Sequence, residues 1–102
     1  MTSQNVTGGA TQASATVLTR DPSGATLAVV SNPNGAKPWV RLPPGCHVDD
    51  SVEVYPLDNS LVDVNGNGTV LPPAGENFYG GVTVNSAPNL FRKIATGLWC
   101  QL

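Results

Sequence analysis

From Ser14 onward, short runs of Val, Leu, Ile and Thr alternate with clusters of Pro, Gly, Asn and Asp. That punctuation is the mark of short strands joined by turns, and no segment holds a helical period over three turns. Ser14 to Thr19 and Ala25 to Ser31 flank Arg20-Asp21-Pro22-Ser23-Gly24, which predicts a first hairpin with a five-residue loop. Ser31 to Lys37 is a turn cluster, after which Trp39 and Arg41 alternate with Val40 and Leu42 up to the stop at Pro43-Pro44-Gly45. Ser51 to Leu57 sets Val52 and Val54 on one face and Glu53 and Tyr55 on the other, the alternation of a half-buried strand, and Pro56 places its far end at a sheet edge.

Leu61 to Val64 and Thr69 to Leu71 surround Asn65-Gly66-Asn67-Gly68, residue types that accept the positive φ angles of a tight hairpin turn. Pro72-Pro73-Ala74-Gly75 breaks the chain before Asn77 to Val84, where Gly80-Gly81 marks a bulge or bend. Leu90 to Ala95 and Leu98 to Leu102 predict a closing hairpin about Thr96-Gly97. The two Pro-Pro segments look alike, but their surroundings do not, and no internal repeat is evident.

Residues 1–13 are almost wholly Thr, Ser, Gln, Asn, Gly and Ala, too polar to bury much apolar surface. They read as a flexible N-terminal arm, either one that orders across a neighbouring subunit or a frayed terminus. Residues 14–102 read as a single all-β domain: eight or nine short strands fit a small antiparallel β-sandwich, a jelly-roll-like fold or a barrel.

Composition narrows the possible partners. The chain of 102 residues is 40% hydrophobic but only 12% charged, with 11 Gly and 9 Pro, a composition for one modest core under a Ser, Thr, Asn and Gly surface. The formal net charge is -2 and the five basic residues form no stripe, which argues against a nucleic-acid partner. So few charges do little to keep copies apart, which favours self-assembly. No apolar run is long enough to span a bilayer, so no membrane partner is expected. The Met1 start without a basic cluster or apolar run reads as synthesis in the cytoplasm without a signal peptide. Cys46 and Cys100 read as two small core residues in a reducing compartment, with a disulfide as the alternative.

The search for chemistry centres on Cys46-His47-x-Asp49-Asp50, which contains the only histidine. Neighbours on an extended chain point to opposite sides, so Cys46 and His47 are poorly placed to converge on one substrate or ion. Three Cys and His residues in all fall short of a structural zinc site. Asp63-x-Asn65-x-Asn67-Gly68 resembles the start of a calcium loop, but Ala74 stands where its bidentate Glu belongs, so a turn is the better reading. Glu53 and Glu76, the only glutamates, show no spacing that pairs them for glycoside hydrolysis. No catalytic residue, cofactor or metal is expected. Six aromatics, Trp39, Tyr55, Phe78, Tyr79, Phe91 and Trp99, serve core and interface, or, if exposed together, a sugar-stacking platform.

The polar arm, low charge, dense short strands and the closing stretch Leu90-Phe91-Arg92-Lys93-Ile94-Ala95-Thr96-Gly97-Leu98-Trp99-Cys100-Gln101-Leu102 resemble the capsid decoration, or cement, proteins of tailed bacteriophages. The resemblance covers the whole chain in character and rests on no diagnostic motif. It implies a non-enzymatic virion protein that binds the major capsid protein at the outer capsid surface as a homo-oligomer, a dimer or trimer, and stabilises the shell. A carbohydrate-binding or tail-fibre-type receptor-binding domain is the alternative; a secreted disulfide-stapled domain is a third.

Overall fold

A computed structural model of the chain describes residues 3–7, 14–31, 39–57, 70–82 and 88–102. Among them are nine strands and no α-helix: β1 (Ser3–Val6), β2 (Thr16–Val17), β3 (Ala25–Val30), β4 (Val40–Arg41), β5 (Ser51–Pro56), β6 (Val70–Leu71), β7 (Asn77–Phe78), β8 (Asn89–Ala95) and β9 (Leu98–Gln101). The all-β expectation holds. The strands form a six-stranded sheet in the order β1-β3-β5-β8-β9-β7 and a three-stranded sheet in the order β2-β4-β6.

The expected wholly antiparallel arrangement does not hold: the three-stranded sheet is parallel and the six-stranded sheet is mixed, with three parallel and two antiparallel ladders. The segments expected to form a first hairpin do not pair with each other. Instead β2 pairs with β4, and β3 lies between β1 and β5, all in parallel. The chain steps from one sheet to the other after every strand from β1 to β6, returning each time beside the strand it left one circuit earlier. Ser3 lies beside Leu27, Ala25 beside Ser51, Thr16 beside Val40 and Val40 beside Val70. This is the winding of a solenoid, in which each turn contacts its neighbours. Its repeat escapes the sequence because the circuits differ in length, 24 residues from Ser3 to Leu27 and 30 from Val40 to Val70.

The winding ends at β8, which runs antiparallel to both β5 and β9. The hairpin predicted about Thr96-Gly97 is present, with Gly97 at φ 71° and a register shift between Lys93 and Ala95. β7 then pairs in parallel with β9. The predicted turn at Asn65-Gly68 and the turn cluster at 32–37 lie outside the described residues.

Alternation along each strand sorts side chains between the core and the outer face. Successive inward rows of the large sheet hold Val6, Val30 and Pro56; Gln4, Ala28, Val54 and Asn89; Thr26, Val52, Phe91 and Gln101; and Lys93 with Trp99 and Phe78. Leu18, Val40, Leu42 and Val70 from the small sheet and its continuations join them in one hydrophobic cluster. Val40 and Leu42 are fully buried, and Trp39 and Arg41, the other side of the alternation, are half-buried, so Trp39 lies at the margin of the core instead of inside it. Trp99 and Phe91 are the largest fully buried side chains, and Phe91 meets the Phe78 ring at 5.7 Å, a tilted contact adding about 1 kcal/mol beyond area burial. Pro56 comes where the β8 ladder has already stopped at Val54 and Asn89, so its missing N–H interrupts no pairing on that side.

The residues read as an arm differ at Ser3–Val6. They form the edge strand β1 on the protein's own β3, with Val6 in the core. Backbone pairing needs no apolar side chain beyond Val6, and so a polar segment joins the sheet. The Gln4 amide adds a second tie, donating through Nε2 to Thr19 O and accepting from Thr19 N–H at 2.8 Å.

Candidate functional site

The Cys46-to-Asp50 segment forms the loop that carries the chain from the small sheet into β5. Its sequence suggests reactive groups; its geometry ties them down. Asp50 is buried and its carboxylate accepts from Arg20 Nε at 2.6 Å, from the second guanidinium nitrogen at 3.4 Å and from His47 N–H at 2.8 Å. These donors, Arg20 above all, hold the carboxyl below its ordinary range against the opposing effect of burial. The loop backbone closes on itself through Asp50 N–H to His47 O at 3.0 Å, which places Asp49 at φ 76°.

A second charged cluster lies beside the first. Lys93 occupies an inward position of β8, and its ammonium bonds Cys46 O at 2.9 Å and Glu76 Oε1 at 3.0 Å. The same carboxylate oxygen accepts from Trp99 Nε1 at 3.2 Å. Backbone bonds run from Asp49 N–H to Lys93 O and from Lys93 N–H to Asp50 O, so β8 and the loop are joined on both levels. A buried lysine left without partners carries a heavy desolvation penalty, and here the loop carbonyl and Glu76 offset it.

The two members of the Cys46-His47 pair part company. Cys46 is buried, its thiol donating to Pro43 O at 3.5 Å and its pKa pushed up to about 11, chiefly by burial and then by the Asp50 charge. His47 and Asp49 are exposed. The segment thus works as a clamp between the two sheets, and sequence reasoning missed three of its members, Arg20, Lys93 and Glu76. One signal was available: Lys93 shares the inward register of Asn89 and Phe91. Among the described residues no group of three His, Cys, Asp or Glu side chains is arranged to hold a metal ion. Asp63, Asn65 and Asn67 lie outside them. Cys46 and Cys100 stand as free thiols, the first in the core and the second half-buried opposite Arg92.

The feature that calls for a function is the outer face of the six-stranded sheet. Register aligns Leu27, Glu53 and Leu90 in one row, with Leu102 joined through its N–H to Leu90 O at 2.8 Å. Val29 and Tyr55 form a second row, and Ser51, Arg92 and Cys100 a third. Leu90 and Ile94 are 38% exposed, Tyr55 41% and Leu102 57%, so apolar side chains dominate a surface open to water. β3 is apolar on both sides, with Ala28 and Val30 inward and Leu27 and Val29 outward. Parallel strands of that composition ordinarily have both faces covered; among the described residues the outer face leaves Tyr55, Leu90, Ile94 and Leu102 exposed, with Leu27 and Val29 half-buried. Two charges interrupt the patch, Glu53 and Arg92, neither with an ion-pair partner among the described residues.

The exposed aromatics do not gather on one platform. Tyr55 lies on β5 and Tyr79 follows β7, at the far edge of the sheet order, while Trp99 and Phe91 are in the core. No described helix is long and apolar enough to cross a membrane. No family model, no curated protein and no solved structure matches the chain.

Proposed function

We propose that this protein is a non-enzymatic structural protein that works by adhesion of its outer sheet face to another protein surface. The exposed Leu90, Ile94, Leu102 and Tyr55, with half-buried Leu27 and Val29 beside them, carry that reading. A contiguous apolar patch exposed on a small domain marks an interaction surface. The clamp of Arg20, Asp50, Lys93 and Glu76 supports it, because these charges pair with one another and hold the loop before β5 rigidly against β8.

In its specific form the reading is a bacteriophage capsid decoration protein: a sandwich-like module, oligomeric, bound to the major capsid protein at the virion surface and reinforcing the shell. Repetition over a symmetric lattice multiplies a modest contact into a strong one. Light scattering of the purified chain with and without reductant tests the assembly reading. A dimer or trimer indifferent to reductant supports it. A monomer that instead binds a glycan array overturns it in favour of the receptor-binding alternative.

A further inference from the structure

We infer that the outer face is occupied by a second copy of this chain, packed face to face about a two-fold axis that sets Glu53 of each copy against Arg92 of the other. This rests on the adhesive reading of the same face and names its partner.

The two charges decide the occupant. Glu53 sits opposite Leu90 and Arg92 opposite Ser51, so they are diagonal neighbours on adjacent antiparallel strands, roughly 7 to 8 Å apart at the backbone. A foreign surface has to offer both signs at this spacing, or it leaves the two charges without partners across the contact as water is excluded. A two-fold axis lying in the contact plane and bisecting the pair satisfies both at once, because an isologous contact makes every i-to-j pairing twice. The apolar side chains around the pair then exclude water from two reciprocal ion pairs, the arrangement in which interfacial charges set orientation most strongly.

Area sets the strength. Strands about 4.8 Å apart and about 3.3 Å per residue give the six-stranded face a footprint on the order of 500 Å² per copy, short of the roughly 800 Å² of a standard stable interface. The dimer is therefore reversible, and its population depends on concentration.

Sedimentation velocity of the full chain over a wide concentration range tests this, with circular dichroism melts to show that each variant folds. The wild type should pass from monomer to dimer. Glu53→Arg and Arg92→Glu should each weaken association at least tenfold, and the double variant carrying both should recover it. Cys100, beside Arg92 on this face, should become slower to alkylate as the dimer fills. If Leu90→Asp abolishes the dimer but neither charge reversal moves it, the face is right and the two-fold pairing is wrong. A dimer unmoved by all three single variants uses another surface and overturns the adhesive reading as well. A chain that stays monomeric throughout overturns the self-pairing.

Discussion

Asp50 shows how one side chain sets a pH dependence. Its carboxyl is held below the ordinary value by Arg20 and the His47 N–H. The folded state therefore favours the ionised form: this contribution is full above the ordinary value of 3.8 and is lost as pH falls through the lower folded value. Asp50→Asn should melt lower at neutral pH and show a shallower loss of stability on acidification, measured by thermal melts from pH 7 to 2. Cys46, buried with its thiol pKa raised to about 11, presents almost no thiolate at pH 8. Iodoacetamide should modify it only on unfolding, as read by mass spectrometry with and without denaturant. Asp49 holds a left-handed backbone conformation at φ 76° that glycine adopts without strain. Asp49→Gly should therefore raise stability by up to about 1 kcal/mol in a denaturant titration.

At the scale of elements, two features are open to direct test. β1 pairs with β3 and buries Val6, so a chain starting at Ser14 loses a strand and exposes the flank of Val30. It should melt lower than the full chain even when dilute, a result that a freely moving arm would not produce. Gly24 and Gly97 both occupy positive φ, at 82° and 71°, but their surroundings differ. A Cβ on Gly24 would lie 2.7 Å from Asp50 Oδ1, whereas one on Gly97 meets nothing within 4 Å. Gly97→Ala should cost the conformational penalty alone, about 1 to 2 kcal/mol. Gly24→Ala should cost more, because the added methyl also pushes into a carboxylate that Arg20 holds in place.

For the molecule as a whole, winding rather than hairpin formation decides what each strand touches. A solenoid leaves its flat faces and its ends to be covered from outside, and the closing hairpin of β8 and β9 covers only part of that demand by adding antiparallel strands to the large sheet. The same circuits bring Arg20, from the loop before β3, under the Asp50 carboxylate thirty residues later. They also bring Glu76 to Lys93. The apolar outer face follows from the same geometry, because parallel neighbours stack Leu27 beside Glu53 and Val29 beside Tyr55 instead of returning each strand against its predecessor.

The amino-acid pattern by itself determined that the chain is built of strands, where many of them lie, which residues of the fifth strand share a face, and that the last two strands pair through Gly97. Each of these rests on short-range physics: period-two alternation, turn residues and positive φ. Strand direction and neighbour were decided by the tertiary structure, since an apolar run looks the same whether its partner is parallel or antiparallel. So was the fate of Ser3–Val6, which joins the sheet through backbone bonds that leave no trace in side-chain polarity. The Cys-His-Asp-Asp cluster looked chemical because its members are adjacent in sequence. The fold separates Cys46 from His47 and gives Asp50 to an arginine and Lys93 to a glutamate, partners that only a packed core with few polar groups could select, because a buried charge must be paired wherever the chain happens to bring it.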